Sequence, residues 1–148
     1  MARGIRIEPF RRSQIRRILE IEKAAFPDDA YERELFVELH KKCGDLFLVA
    51  KESGRISGYI VTCVSRGVAE IVSIAVDPSS RNQGLGKALM RRTLRKLRSK
   101  GIRTVSLMVR STNATGIGFY GRFGFRRVRR VANYYEDGGE GIRMRLRL

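Results

Sequence analysis

Apolar residues follow two different periods along this chain. In some stretches every second residue is apolar, which is typical of strands, and in others apolar residues recur every three or four positions, which is typical of helices. Ile5 and Ile7 begin a short strand, and Ile15, Ile18 and Leu19 mark one face of a helix. The chain therefore opens with a strand followed by an amphipathic helix.

The same two periods predict the remaining elements. A second helix near residues 35–39 precedes three strands at 46–50, 56–64 and 69–76, and a long helix covers 84–100. A strand at 105–109, a short helix capped by Thr112 or Asn113, and a hairpin turning at 137–139 complete the chain. The predicted order is β-α-α-β-β-β-α-β-α-β-β, which is an α+β fold with helices on both faces of a mixed sheet, in one domain over residues 1–148.

Length and composition indicate a folded, water-exposed protein. The chain has 148 residues, of which 43% are hydrophobic, enough for a single core. Its apolar runs are shorter than a membrane span, and no apolar segment follows Arg3 and Arg6 as in a signal peptide. We therefore expect a cytoplasmic protein without membrane contact.

The charge of the chain is strongly positive. It carries 31 Lys and Arg against 15 Asp and Glu, a net charge of +16, with arginines dense at 84–100 and 126–130. Such a surface attracts polyanions, so ribosomal or other RNA is a candidate partner. A solvated surface of the kind found in thermophile proteins explains the same charge, and both interpretations stay open here.

The two cysteines do not predict a metal site. Cys43 and Cys63 lack the spacing of metal ligands. Cys63 lies in an apolar strand pattern, so we expect a buried free thiol there, whereas Cys43 follows a helix and has no predicted role.

The most informative segment joins the strand at 69–76 to the long helix. It contains Arg81-x-x-Gly84-x-Gly86, whose glycines open the helix. Glycines let a ligand approach the backbone closely, and the free N–H groups at a helix start favour an anion. Arg81 and Lys87 add positive charge on either side. The pattern predicts a phosphate or pyrophosphate site, although a turn that merely starts a helix remains an alternative.

This segment resembles the acetyl-CoA pyrophosphate loop of the GNAT superfamily of N-acetyltransferases. The resemblance implies a mixed, mostly antiparallel sheet of about seven strands flanked by about four helices, with acetyl-CoA or coenzyme A as cofactor. It also implies that the strand before the loop binds the pantetheine arm and the acetyl carbonyl, and that the loop binds the pyrophosphate. The implied cofactor-binding residues are Ile74, Ala75, Val76, Arg81, Asn82, Gln83, Gly84, Leu85, Gly86 and Lys87.

A second segment, residues 113–125, resembles the GNAT pattern Asn-x-x-x-x-x-x-Tyr-x-x-x-Gly-Phe. The resemblance implies that Asn113 contacts the cofactor and that the Tyr120 hydroxyl lies near its sulfur. A phenol can protonate the departing thiolate, so we predict Tyr120 as both a cofactor contact and the general acid. A purely structural role in a short amphipathic helix is the alternative.

The general base is less clear from the sequence. Bacterial RimI-type enzymes carry a glutamate two residues before the segment that here reads Arg110-Ser111-Thr112-Asn113, and this chain has Met108 there. Residues 69–72 resemble the strand of related histone acetyltransferases that carries their catalytic glutamate. We therefore predict Glu70 as the base, acting directly or through water, with an exposed strand residue as the alternative.

Two segments resemble the substrate loops of protein N-terminal acetyltransferases. Phe26, Pro27 and Tyr31 lie in the first, and Tyr134 and Tyr135 lie in the C-terminal hairpin. The resemblance implies that they bind the substrate peptide, although ordinary strand tyrosines would give the same hairpin pattern. A peptide α-amine has a pKa near 8, against about 10.4 for lysine, and therefore tolerates a weaker base.

The sequence thus predicts transfer of the acetyl group of acetyl-CoA to protein N-termini, by direct attack in a ternary complex, because no cysteine is placed as a nucleophile. Lysine side chains or small-molecule amines are alternative acceptors. A basic RNA- or ribosome-binding module with a non-catalytic acetyl-CoA site is an alternative of a different class.

Overall fold

A computed structural model describes residues 4–148 of the chain, and within them seven strands and four α-helices follow the predicted order. The elements in chain order are β1 (Ile5–Pro9), α1 (Ile15–Ala25), α2 (Arg33–Cys43), β2 (Phe47–Glu52), β3 (Arg55–Ser65), β4 (Val68–Val76), α3 (Leu85–Ser99), β5 (Thr104–Arg110), α4 (Ala114–Arg122), β6 (Arg126–Val131) and β7 (Gly141–Arg147). The α+β prediction and the predicted numbers of strands and helices are confirmed.

The strands form one mixed sheet in the order β1-β2-β3-β4-β5-β7-β6. All neighbouring strands are antiparallel except β4 and β5, which are parallel. Val68–Glu70 of β4 pairs with Thr104–Ser106 of β5, and beyond these residues the two strands separate. The C-terminal half of β4 therefore pairs with β3 alone, and its other edge keeps unpaired backbone groups.

The sheet has a core on each face. On one face, Leu85, Leu89 and Leu97 of α3 pack with α4 residues against the middle of the sheet. On the other, Ile18 and Ile21 of α1 pack together with residues of α2, β2 and β3. Both cores are built by the apolar stripes that predicted the helices, so the helices lie on both faces as expected.

The expectation of a free thiol at Cys63 is wrong. Cys43, at the end of α2, and Cys63, on β3, form a disulfide with Cα atoms 5.2 Å apart. The helix packs across the strand, which brings two residues separated by 20 positions together without any local motif. Cys43 accordingly has a structural partner that its sequence context does not reveal.

None of the helices in the described part of the chain has the length and apolar character that a membrane span needs.

Candidate active site

The separation of β4 from β5 opens two adjoining cavities at the middle of the sheet. The larger has a volume of about 760 Å³ and extends along the loop before α3, and the smaller has a volume of about 110 Å³ and lies towards α1. Six residues border both cavities: Phe26, Asp29, Ile74, Arg110, Asn113 and Tyr120. The larger volume is in the range of small-molecule sites.

The loop between β4 and α3 is held in place by its first residue, Asp77. The Asp77 carboxylate accepts a hydrogen bond from the Ser79 N–H at 3.1 Å and forms an ion pair with Arg17 of α1 at 2.5 Å. These interactions lower the pKa of Asp77 below its ordinary value, and the hydrogen bond from Arg17 has the largest effect. The loop is thereby tied to α1 before it turns into α3.

Two glycines at the start of α3, Gly84 at its N-cap and Gly86 in its first turn, are required for different structural reasons. Gly84 caps α3 with φ of 83°, in the left-handed region, and a Cβ built there would meet no protein atom within 4 Å. Gly84 is therefore required for the backbone turn, and its missing side chain leaves the adjoining larger cavity open. Gly86 packs against the ring of Phe119, which a Cβ would approach to 3.3 Å.

The predicted cofactor residues lie together with one exception. The larger cavity is bordered by Ile74, Ala75, Val76, Arg81, Asn82, Gly84, Leu85, Gly86, Lys87, Asn113 and Tyr120. The side chain of Gln83 does not border it and lies against the Glu52 carboxylate instead. The loop residues bring two exposed cations and a helix start to one end of this cavity.

The smaller cavity contains a carboxylate that sequence reasoning missed. Glu22 of α1 borders it and is only 1% exposed. Its carboxylate accepts hydrogen bonds from the Tyr59 hydroxyl, from the Ser73 hydroxyl at 3.0 Å and from the Tyr31 N–H at 3.0 Å. Burial raises the pKa of Glu22, and the bonds from Tyr31 and Ser73 partly offset that rise.

A signal for Glu22 was present in the sequence. It lies four residues after Ile18 and directly after Ile21, on the apolar face of an amphipathic helix. A carboxylate at such a position is buried, and buried carboxylates need either partners or a function. The polar partners come from β3, β4 and the α1–α2 loop, which the sequence alone does not bring together.

Tyr120 and Asn113 lie where the two cavities meet. Burial raises the pKa of Tyr120, and the nearby Tyr135 raises it further by a smaller amount, so the phenol is protonated at neutral pH. Asn113 caps α4, since its side-chain oxygen accepts the Gly116 N–H at 2.9 Å, and of the two predicted caps it is the one used. The remaining amide NH2 group of Asn113 is available to a ligand in the cavities.

Glu70, the base expected from the sequence, borders neither cavity. Its carboxylate lies 3.3 Å from the Arg143 guanidinium, and its side chain is 45% exposed. The side chain of Met108, which stands where the RimI-type pattern has a glutamate, does border the smaller cavity. The buried carboxylate at this cavity therefore comes from α1 and not from β4 or β5, and the second carboxylate there, that of Asp29, is paired with Arg110.

Arg110 joins the two predicted substrate loops. Its guanidinium binds Asp29 of the α1–α2 loop at 2.5 and 2.7 Å and Asp137 of the β6–β7 loop at 3.0 Å. It also lies over the ring of Tyr135, 4.4 Å from the centroid. One cation at the end of β5 thus sets the position of both loops.

The five predicted substrate residues are distributed around the cavities. Phe26 borders both, Pro27 borders the larger, and Tyr31 and Tyr135 border the smaller. Tyr134 borders neither but packs against Tyr135 with ring centroids 4.9 Å apart, and it is 45% exposed. The aromatic residues therefore line an approach from the solvent to the smaller cavity.

The described part of the chain contains no group of three or more His, Cys, Asp or Glu side chains that could hold a metal ion. The polar groups that border the two cavities include the buried Glu22 carboxylate, the Tyr120 phenol and the loop cations Arg81 and Lys87.

This fold and this pair of cavities define a class of enzyme. Residues 14–125 match the acetyltransferase (GNAT) family, and the chain belongs to that family. It is an acetyl-CoA-dependent N-acetyltransferase. The resemblance found from the sequence is therefore confirmed.

Particular relatives are similar over nearly the whole chain. An N-alpha-acetyltransferase from Sulfolobus acidocaldarius is 32% identical, over 89% of this chain and 86% of the relative. The crystal structure of Ard1 from Thermoplasma volcanium aligns with a TM-score of 0.94 at 30% identity, over 98% of both chains. That of the ribosomal-protein-S18-alanine N-acetyltransferase from Escherichia coli aligns with a TM-score of 0.86 at 28% identity, over 97% of this chain and 93% of the other.

Proposed function

We propose that the protein transfers the acetyl group of acetyl-CoA to the α-amino group of protein N-termini, by direct attack within a ternary complex. The observation that carries this proposal is the meeting of a cofactor-sized cavity and a small carboxylate-containing cavity at Tyr120 and Ile74. The similarity to an N-alpha-acetyltransferase supports the choice of the α-amine.

The residues of the larger cavity fit acetyl-CoA. Its pyrophosphate would lie at the start of α3, where Arg81 and Lys87 supply positive charge and the loop supplies N–H donors. The unpaired edge of β4 at Ile74–Val76 would bind the pantetheine amides as an added strand does. Acetyl-CoA, when bound, supplies a thioester whose carbonyl carbon the amine attacks. Fixed N–H groups along this edge would stabilise the oxygen that gains negative charge.

The smaller cavity suits the amine. With a volume of about 110 Å³ it holds little more than an amine and a small side chain. Glu22 would accept a proton from the incoming ammonium, directly or through a water molecule, because a buried carboxylate with a raised pKa is a stronger base than an exposed one. We therefore assign to Glu22 the role that the sequence predicted for Glu70.

We assign Tyr120 a role close to the predicted one. Its raised pKa makes full proton transfer to a thiolate unfavourable, since thiols of this kind have a pKa of about 8.5. The protonated phenol is instead suited to donate a hydrogen bond to the sulfur as its negative charge develops. This role requires only that Tyr120 be protonated at neutral pH, as any phenol with an ordinary or raised pKa is.

The test uses three peptides of one sequence, with a free N-terminus, with a blocked N-terminus, and with a blocked N-terminus plus one internal lysine. Release of free thiol from acetyl-CoA is followed, and the product is located by mass spectrometry. We expect turnover of the first peptide only. Turnover confined to the lysine peptide or to small amines would replace the proposed acceptor, and acetyl-CoA binding without turnover of any amine would favour a non-catalytic module.

A second function is supported by the surface of α3. Arg91, Arg92, Arg95 and Arg98 of this helix are exposed, and the chain carries a net charge of +16. We propose that this helix also makes sequence-independent contact with RNA, such as that of the ribosome, alongside catalysis. Binding of a labelled RNA duplex that weakens steeply with salt, and that is lost in the Arg91→Gln/Arg95→Gln variant, is expected. Binding unaffected by these substitutions would refute the assignment to α3.

A further inference from the structure

Four arginines form a cationic surface on the C-terminal hairpin, on the sheet face opposite α3 and α4. Along β7, Ile142, Met144 and Leu146 are buried, whereas the alternate residues Arg143, Arg145 and Arg147 point to the other face. Arg147 pairs with β5 alone and lies beyond the paired part of β6. β6 adds Arg126 opposite Arg145 and Arg129 opposite Arg143. We call Arg126, Arg129, Arg143 and Arg145 the arginine face.

The pairing within the arginine face is unfavourable by itself. Both cross-strand pairs place like charges directly opposite each other, an arrangement that destabilises a sheet. Of the four guanidinium groups, only that of Arg143 has an acidic partner, Glu70 at 3.3 Å, among the residues that the structure describes. Surplus positive charge concentrated in this way is expected where an anion binds.

Protection of an exposed sheet edge does not account for this surface. Charged side chains on an edge strand prevent pairing with other chains, and β6 is such an edge. Arg143 and Arg145, however, lie on β7, which pairs with a strand on each side. Their charge therefore calls for another explanation.

The arginine face is continuous with the smaller cavity. Met108 borders that cavity and pairs with Arg143, which in turn pairs with Arg129. Neighbouring strands are about 4.8 Å apart, so Arg129 lies about 10 Å from Met108 in the plane of the sheet. An extended peptide advances about 3.3 Å per residue and would cover this distance within three or four residues.

We propose that the arginine face binds acidic side chains downstream of the acetylated residue, so that the enzyme selects N-termini followed by Asp or Glu at about the third to sixth positions. This inference rests on the proposed function, since it takes the N-terminus of the peptide to lie in the smaller cavity. The aromatic rim of Tyr31, Tyr134 and Tyr135 positions the backbone, and the arginine face adds charge selection beyond it. Glu70 sets the inner limit, because it would repel an acidic residue close to the amine.

A peptide fits this surface better than a nucleic acid does. The arginine face is small, ends at the edge of the sheet, and contains one carboxylate beside Arg143. A phosphate backbone gains affinity from many neutralised charges along its length, which a patch of this size does not offer. A few carboxylates on a chain already anchored at its N-terminus need only a few arginines.

The experiment compares three peptides that share their first two residues and differ only in having Glu, Gln or Lys at positions three to six. At low salt we expect kcat/KM for the Glu peptide to exceed that for the Lys peptide by about tenfold, because several exposed charge pairs add modestly. The ratio should fall towards one at high salt. In Arg129→Gln/Arg145→Gln it should fall to about twofold, whereas kcat/KM for the Gln peptide stays near wild type.

The matched control is Arg91→Gln/Arg95→Gln, which removes the same charge from the exposed surface of α3 and should keep the preference for the Glu peptide. Equal kcat/KM for the Glu and Lys peptides in the wild type would overturn the proposal, as would a preference that both double variants lose equally. Competition of a short RNA with the Gln peptide, without any preference among the peptides, would overturn it in favour of nucleic acid.

A binding measurement separates this inference from the proposed function. Anisotropy of the same three peptides, labelled at their C-termini, reports affinity without turnover. Preferential binding of the Glu peptide that requires Arg129 and Arg145, in the absence of acetylation, would keep the arginine face and reject the acceptor. Acetylation of the peptides with no charge preference in either measurement would keep the proposed function and reject the arginine face as a peptide site.

Discussion

Replacement of Glu22 by Gln tests the assignment of the base most directly. Gln has the shape of Glu, and its side-chain oxygen can still accept the hydrogen bonds from Ser73 and Tyr59. The NH2 group that replaces the other oxygen cannot accept from the Tyr31 N–H, so one of the three hydrogen bonds is lost while the shape of the site is kept. What the variant loses is the ability of Glu22 to take a proton. Any loss of rate can then be attributed to proton transfer rather than to collapse of the cavity.

The expected loss is moderate at neutral pH and smaller at alkaline pH. A general base contributes about 10²- to 10⁴-fold. An α-amine with a pKa near 8 is already about one-tenth neutral at pH 7, so we expect kcat/KM to fall by about 10- to 100-fold there. Near pH 9 most of the amine is neutral, and the difference from wild type should shrink to a few-fold.

Stability should change in the opposite direction from activity. The folded pKa of Glu22 is raised by burial, so its protonated form is favoured in the folded state. The contribution of Glu22 is then most favourable below the ordinary pKa of a glutamate and is lost as pH rises through the raised folded value. At pH 7 to 8 the uncharged Gln avoids this cost, and we expect the Tm of Glu22→Gln to equal or exceed that of wild type.

The assay combines peptide kinetics from pH 6 to 9.5, calorimetric titration of coenzyme A, and thermal unfolding. Coenzyme A affinity should not change, because Glu22 borders only the smaller cavity. The matched control is Glu70→Gln, a carboxylate on the same side of the sheet that borders neither cavity, which should cost less activity. An unchanged pH profile in Glu22→Gln, or a larger loss in Glu70→Gln, would refute the reasoning and return the role of base to Glu70.

Substitutions at four further positions test other parts of the structure. Tyr120→Phe should lower kcat by about 10- to 100-fold, the value of one hydrogen bond to a charged group, and should weaken coenzyme A binding much less. Wild-type kinetics would exclude the proposed role. Gly84→Asp should abolish acetyl-CoA binding in calorimetry, because its carboxylate would repel the pyrophosphate. Gly84→Ala introduces only the strain of a positive φ, so this variant should fold and bind acetyl-CoA more weakly than wild type but still measurably. Equal acetyl-CoA affinities of the Asp and Ala variants would refute the loop assignment. Arg110→Met should raise KM for the peptide more than it lowers kcat, because it frees Asp29 and Asp137, and an unchanged KM would show that the loops are positioned otherwise. Cys43→Ser should lower the free energy of unfolding by about 3 kcal/mol, as for a closed loop of this length, and a chemical denaturation midpoint equal to wild type would show that the disulfide adds nothing.

The secondary structure was largely predictable because it depends on local pattern. Strands such as β7 and helices such as α3 alternate apolar and polar residues with a clear period, and turns such as that at Gly84 need glycine for a backbone reason. The order of elements and the place of the cofactor loop follow from these signals together with the family resemblance.

The remaining features depend on contacts between distant segments. The Glu22 site needs Tyr59 from β3 and Ser73 from β4, and the disulfide needs α2 to cross β3. The divergence of β4 and β5, which opens both cavities, leaves no mark in the pattern of either strand. The sequence likewise does not show that Glu70 lies beside Arg143, 73 residues away, and borders neither cavity.

Because the Arg110 guanidinium binds Asp29 and Asp137 at once, the α1–α2 loop and the β6–β7 loop are coupled in position. A change in one loop would be transmitted through Arg110 to the other, so exchanging either loop alone between members of the family should disturb both. Retargeting such an enzyme to new N-termini would then require the α1–α2 segment, the hairpin tip and the end of β5 to be transplanted as a set.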